Sequence, residues 1–329
     1  MKTVAQIPVR DDDGETRLDR FLRRRFPELT QGQIEKLIRT GQVRVDGARA
    51  KAADRVAPGQ VVRVPPLPDA PPPKAEGGLS PKDVAFAQSM VIHRDADVII
   101  LNKPQGLAVQ GGAKTLRHVD ALLPALKFER EDKPKLIHRL DKDTSGLLVL
   151  ARHPAAAARV SSYFRGRTLN KVYWAVVLGS PRPPSGQIRG WLRKAGSPRD
   201  ADREMVQRCL QQDEGAVHAI TDYATMADAG GRLAWMALRP VTGRTHQLRF
   251  HMAEIGHAIL GDPKYRCDRP TPGELPNRLH LHARAIELPQ EKGKPLRIIA
   301  PLPEHMKETF AAVGFEESEG KNPFAVFDD

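Results

Sequence analysis

Cysteine is nearly absent from this chain: Cys209 and Cys267 are the two in 329 residues, and they lie far apart in sequence. Two distant thiols exclude a cysteine-built zinc site and a disulfide framework, and they suit a reducing cytoplasm. Long apolar runs are also missing. Nothing approaches the roughly 18 residues a membrane span requires, and the start, residues 1–14, is polar and acidic without the apolar core of a signal peptide. A soluble protein is expected. There is no phosphate-binding P-loop and no dinucleotide-binding glycine fingerprint, so neither nucleotide hydrolysis nor hydride transfer is signalled.

What the chain does have is positive charge. Lys and Arg total 52 against 40 Asp and Glu, a net +12, which favours a polyanionic partner, nucleic acid or an acidic membrane surface. The excess is concentrated. Residues 15–65 carry twelve Lys and Arg against six Asp and Glu, half the net charge in under a sixth of the length. The same stretch has the pattern of a small module. Leu18, Phe21, Leu22 and Phe26 fall at helical spacing; Thr30 is placed to cap a second helix bearing Ile34, Leu37 and Ile38, which Gly41 ends. Val43-Arg44-Val45 leads into the turn Asp46-Gly47, and residues 60–64 read as another strand. One-signed charge on such a module points to phosphate rather than to an ordinary solvated face.

Residues 66–85 are rich in Pro and Gly and read as a semi-stiff linker. Beyond them, short apolar runs recur at 98–101, 147–151, 172–178 and 233–238, separated by turns and polar segments. Residues 86–315 are therefore expected to form a larger α+β domain with much strand, and the acidic stretch 316–329 is expected to fray.

The chemistry concentrates in His138-Arg139-Leu140-Asp141-Lys142-Asp143-Thr144-Ser145-Gly146. Nine residues hold two carboxylates, two cations, a histidine and two hydroxyls, directly before an apolar strand. Loops held by rigid structure are where reactive groups are commonly placed. Three other clusters accompany it. Leu101 to Gly106 is a shaped loop or a plain tight turn. Lys171 to Val176 alternates at period two, placing Tyr173 opposite Val172 and Trp174; a strand tyrosine is more often core than catalyst. Thr242 to His251 is dense in cations and hydrogen-bonding groups, and with no carboxylate trio beside His246 and His251, metal ligation is disfavoured.

Together these segments resemble the bacterial pseudouridine synthases that modify large-subunit (23S) ribosomal RNA. HRLDKDTSG at 138–146 carries the resemblance, with KVYWAVVLG at 171–179, VTGRTHQLRFHM at 241–252 and LNKPQGLAVQGG at 101–112 in the expected order. The front, with Arg17 to Leu22, Gln33 to Arg39 and Gly41 to Gly47, resembles the S4 RNA-binding domain. The resemblance implies a catalytic domain with a mixed, largely antiparallel sheet behind a small α/β S4-like module. It implies isomerisation of uridine to its C-glycoside in place, with no cofactor and no metal. The partner would be large-subunit ribosomal RNA or its assembly precursor, met by a monomer.

The resemblance also implies roles. Asp141 is the essential nucleophile or base, a choice that stays open, and Arg249 is the cation paired with it. Tyr173 stacks on the target uracil and relays the proton lost from its ring, which reverses the core reading. Arg139 enters the space the flipped nucleotide vacates. His138 and Thr144 orient or shape the loop, Lys103 belongs to the pocket wall or touches phosphate, and Asp143 is a salt-bridge or hydrogen-bond partner within the loop. The two-helix face of the front module, with Arg17, Arg20, Arg24, Lys36, Arg39 and Arg44, grips RNA. Two rivals remain: a non-catalytic RNA-binding protein, and a glycosidase whose second acid stands about 5–9.5 Å from Asp141.

Overall fold

A computed structural model describes residues 4–13, 15–26, 29–67, 79–111, 117–166, 169–195, 205–290, 293–320 and 322–327. The chain divides into two compact units, residues 1–78 and 79–329.

The first unit runs β1 (Ala5–Pro8), β2 (Thr16–Arg17), α1 (Leu18–Arg25), α2 (Gln31–Arg39), β3 (Arg44–Val45), β4 (Ala48–Arg49), β5 (Arg55–Val56) and β6 (Val61–Val64). It begins earlier than residue 15, because β1 pairs antiparallel with β6. The capping expected of Thr30 is present in full: its hydroxyl accepts from the Gln33 amide while the Gln33 side chain accepts from the Thr30 amide. Leu18, Phe21, Leu22, Ile34 and Ile38 close a single core between helices and strands. Helical periodicity thus turns the apolar side inward and leaves the arginines outside.

The second unit contains α3 (Pro81–Ser89), β7 (Val91–Arg94), β8 (Val98–Lys103), α4 (Val119–Leu122), β9 (Lys135–Leu136), β10 (Ser145–Ala151), α5 (Pro154–Gly166), β11 (Asn170–Leu178), β12 (Ser185–Ala195), β13 (Met205–Cys209), β14 (Val217–Ala229), β15 (Leu233–Pro240), α6 (Gln247–Glu254), β16 (Leu281–Leu288), β17 (Leu296–Ile299) and α7 (Glu304–Val313). Nine strands follow the order β13-β12-β14-β15-β11-β16-β10-β8-β7, with β17 on β16 and β9 on β10. The sheet is mixed: β10 and β16 pair in parallel, and the other pairs in it are antiparallel. No helix among the described residues is long and apolar enough to cross a membrane.

Two further boundaries differ from the sequence reading. The reading of 66–85 as linker overlaps α3, whose Ser80 caps its first turn and whose Pro81 sits at the first helical position, where a missing N–H costs nothing. Residues 68–78 lie outside the described residues. The described part of the acidic end, residues 316–320 and 322–327, is not frayed either. Phe324 is buried, Phe327 packs against the same cluster, and the Gly320 backbone sits against Trp174 and Trp235. Burial of these aromatics outweighs the charge that surrounds them.

The end of β10 nearest the polar loop shows why Gly146 is there. Its φ is +105°, and a Cβ would stand 2.3 Å from the Ala283 carbonyl oxygen of β16. Only glycine allows that parallel crossing. On the adjoining residue, the Ser145 hydroxyl bonds to Nδ1 of His282 at 2.9 Å. The polar loop therefore emerges from a fixed point inside the sheet, where β10 lies between β16 and β8.

Candidate active site

Asp141 lies in the loop between β9 and β10. Leu140 before it is buried, and the turn closes with the Thr144 amide donating to the Asp141 carbonyl. His138 anchors the entry. Its Nε2 accepts from the Val149 amide at 2.9 Å, and its ring stacks on Phe164 with centroids 4.2 Å apart. Burial, helped by the nearby charge of Lys171, pushes its pKa down to about 3, so the imidazole is neutral. It holds backbone and moves no proton near neutral pH.

Lys103 does not line the cavity. It is fully buried at the end of β8 and donates to the carbonyls of Pro104, Leu107 and Lys142 at 2.9–3.1 Å. The Lys142 carbonyl also accepts from the Gly106 amide, so the shaped loop at 104–107 and the Asp141 loop are tied together. Burial pushes the Lys103 ammonium down to about 7, while the charges of Asp143 and Asp141 favour the protonated form. Three carbonyls matching three N–H donors favour it as well. Asp143 makes no salt bridge or side-chain hydrogen bond among the described residues; its connection to the loop is through that field. Replacing Lys103 by Met should orphan three acceptors and lower unfolding free energy by about 1–3 kcal/mol. A denaturant titration reads this directly, and an unchanged midpoint would remove Lys103 as the tie between the loops.

Tyr173 enters from β11. Val172 and Trp174 on either side are fully buried on the opposite face, while Tyr173 is half-buried and lines the cavity. The register against β16 slips between Val172 and Tyr173, a bulge of the kind that re-aims a side chain. Burial and the charge of Asp141 raise its pKa above that of a free phenol, so it stays protonated.

Arg249 comes from α6. The loop ahead of that helix is locked by Gln247, whose Oε1 accepts from the Thr242 hydroxyl and the Arg244 amide, while its Nε2 donates to the Ile220 carbonyl and the Thr221 hydroxyl. Arg249 is the point where the sequence reading needs correction. Its partner is Asp262, not Asp141: Nε and one terminal nitrogen reach the two carboxylate oxygens at 2.7 Å each. Both side chains are buried, at 1% and 0% exposure. A bidentate fork between two planar groups wins over a single oblique contact. Arg249 still lines the cavity, and the charge of Asp141 acts on it. Asp262 carries no motif of its own in the sequence reading. The segment Gly261-Asp262-Pro263-Lys264-Tyr265, with an acid beside Gly and Pro, was the available signal.

These parts surround a cavity of about 760 Å³, within the range of small-ligand sites. Asp141, Tyr173, Arg249, Arg139, His138 and Thr144 all line it, and the Thr144 hydroxyl has no hydrogen-bond partner among the described residues. Six cations line it against two carboxylates, Asp141 and Asp222. Asp222 is already engaged by Arg239 and Gln187. The ion-pair contact of Asp141 among the described residues is instead with His246, Nε2 standing 3.9 Å from Oδ2. A glycosidase pair is therefore disfavoured.

The RNA pseudouridylate synthase family matches residues 97–254, and the S4 domain matches residues 16–62. The chain is 36% identical to a ribosomal large subunit pseudouridine synthase C of Rickettsia bellii, over 88% of this chain and 95% of that one. This chain belongs to the RNA pseudouridylate synthase family. A Vibrio vulnificus protein of the same name is 31% identical over 94% of this chain and 96% of its own. A mitochondrial RNA pseudouridine synthase 4 of Arabidopsis thaliana is 33% identical, covering 91% and 80%. Among solved structures, human RNA pseudouridylate synthase domain containing 4 superposes with a TM-score of 0.59 at 26% identity, over 71% of this chain and 97% of that one. The synthase match begins one residue before β8 and ends with α6, so it includes Asp141, Tyr173 and Arg249 and leaves Asp262 outside.

On the S4 unit, Arg17, Arg20 and Arg24 line a shallow depression with Arg23, Asp19 and Gln31. Arg17 is committed to Asp19, with contacts of 2.7 and 3.1 Å, whereas Arg20, Lys36 and Arg39 are exposed. Arg24 reaches the Thr16 hydroxyl at 3.3 Å and Arg44 the Gly47 carbonyl at 3.1 Å. Arg17 is thus a support within the face rather than a free cation on it.

Proposed function

We propose that this synthase converts selected uridines of 23S ribosomal RNA to pseudouridine, with Asp141 as the reacting carboxylate. The supporting observation is convergence. Asp141, Tyr173 and Arg249 come from a loop, a strand and a helix spread over 108 residues, and they line one cation-rich cavity. The large-subunit assignment rests on the names of its relatives.

A flipped uridine brings its sugar to Asp141 and its base to Tyr173. Flipping costs a few kcal/mol, recovered by stacking and by backbone contacts, for which Arg139, Arg165, Lys171 and Arg244 stand around the cavity. Asp141 either attacks the ribose or the base as a nucleophile, or removes a ribose proton as a base. In each route the bond from ribose to base nitrogen breaks and the uracil turns; C5 then bonds to C1′ as any bond to Asp141 breaks or the ribose proton returns, and the proton lost from C5 is balanced by one taken up at N1. Arg249 is held charged by Asp262, so it presents fixed positive potential to Asp141 without titrating. Tyr173, held as a phenol, offers an aromatic face and passes a proton only as it gives one up. No electron is transferred and no group leaves the substrate.

The reading is tested by mapping pseudouridine in ribosomal RNA from cells lacking this protein. Specific large-subunit positions should revert to uridine and regain modification when the gene is returned; an unchanged map would sink the assignment. The S4 unit gives a separate expectation. Changing Arg20, Lys36 and Arg39 together to Gln should weaken RNA binding. The slope of log K against log salt should become shallower by about 2, at roughly 0.7 per phosphate contact on single-stranded nucleic acid. A slope equal to wild type would mean this face does not meet phosphate.

A further inference from the structure

We infer that Tyr265 and His246 form a positioning pair that presents an imidazole Nε2–H to the carboxylate of Asp141. This rests on Asp141 being the reacting group.

The hydrogen-bond inventory carries the inference. The Tyr265 hydroxyl accepts from the Val206 amide at 2.8 Å and lies 3.0 Å from Nδ1 of His246. A phenol has one proton to give. With its oxygen already accepting a backbone N–H, giving that proton to Nδ1 satisfies both groups. Nδ1 is then the acceptor, and the single proton of the neutral ring sits on Nε2, the nitrogen 3.9 Å from Oδ2 of Asp141. Burial raises Tyr265 to about 12, which keeps it a donor, and burial lowers His246, which keeps the ring neutral. The charges of Arg249 and Lys264 push His246 the same way, against the pull of Asp141 and Asp262. A neutral donor orients a carboxylate without protonating it, which suits a group that must stay ionised.

The pair is built, not incidental. His246 is 8% and Tyr265 5% exposed. His246 holds φ = +51°, a left-handed conformation uncommon for a residue with a β-carbon, at the first step into α6. Tyr265 also lies under the guanidinium of Arg249, 5.4 Å from its ring centroid, and its amide donates to Asp262. At 3.9 Å the last contact is longer than a hydrogen bond. Such contacts commonly tighten only once substrate is bound.

Two substitutions separate positioning from mere structure. The amide nitrogen of His246→Gln reaches the place of Nε2, whereas that of His246→Asn reaches only the place of Nδ1. The left-handed backbone prefers Asn, so a structural role predicts that Asn is the better tolerated. The positioning role predicts the reverse. On labelled 23S ribosomal RNA, His246→Asn should lower kcat roughly 10- to 100-fold with KM little changed, the size expected for a hydrogen bond to a charged group. His246→Gln should recover most of that loss, and Tyr265→Phe should lower kcat about tenfold. Equal losses for Gln and Asn, or a loss confined to KM, would overturn the inference.

A second measurement does not depend on the variants folding. Nitrogen-15 NMR of the wild-type protein should show Nε2 of His246 protonated and Nδ1 bare; a proton on Nδ1 would overturn the inference. Failure of the underlying reading looks different, because Asp141→Asn would then stay active whatever the His246 variants do.

Discussion

Asp141→Asn should abolish isomerisation while leaving RNA binding nearly intact. The amide keeps the shape of the carboxylate but has neither its nucleophilicity nor its basicity, so both chemical routes close. Loss of a reacting group of this kind lowers kcat by a factor on the order of 10⁴ to 10⁶. The surrounding structure asks little of the charge. The Asp141 side chain is 25% exposed, and its carbonyl, not its carboxylate, closes the turn. Stability should therefore stay within about 1 kcal/mol of wild type, as for substitutions away from buried pairs. Binding, set by the S4 arginines and the cations around the cavity, should survive. A variant that binds RNA with unchanged affinity and turns over at a normal rate would remove Asp141 from the chemistry.

The second large effect belongs to Asp262. Asp262→Asn leaves the Arg249 guanidinium buried without a counter-charge, and breaking a buried pair from one side costs about 3–5 kcal/mol. Asp262 also accepts from the amides of Lys264 and Tyr265, so the loop that carries Tyr265 should loosen as well. Activity should fall with stability, because Arg249 is freed to swing onto Asp141 or away from it. A double-mutant cycle separates the contributions. Arg249→Met with Asp262→Asn removes both charges, and the pair should be less destabilised than Asp262→Asn alone. Equal midpoints in denaturant for wild type and Asp262→Asn would show that the pair is not the anchor of this side of the cavity.

Local patterns in the chain were legible where neighbours in sequence are neighbours in space. Thr30, directly ahead of the apolar spacing of Ile34, Leu37 and Ile38, announced its cap. The run 147–151 announced a buried strand, and 171–176 announced that Tyr173 stands opposite Val172 and Trp174. Long-range partners were not legible. Arg249 was paired with Asp141 by family resemblance, but the choice between Asp141 and Asp262 depends on which carboxylate meets the N–H edge of the guanidinium. No spacing encodes that. Lys103 was misplaced for a similar reason. A lysine beside Pro and Gly usually reads as exposed, and the three carbonyls that permit its burial come from backbone, which has no sequence signature. The acidic end misled because charge was weighed over Phe324 and Phe327, two aromatics whose burial decides its course.

The His246–Tyr265 pair is of the same long-range kind. Each residue is unremarkable in its own segment, and together with Asp262 and Arg249 they form one buried network behind Asp141. That network links α6 to the loop after it, and its purpose on this account is to hold one carboxylate ionised and aimed.

Isomerisation of uridine in 23S ribosomal RNA through Asp141, the function proposed above, has a direct chemical readout. The most direct measurement is tritium release from such RNA labelled at uracil C5, with a chelator present and no cofactor added. Wild type should release label stoichiometrically with pseudouridine formed, and Asp141→Asn should release none above background. Absence of release by wild type, or release at equal rates by both, would contradict it.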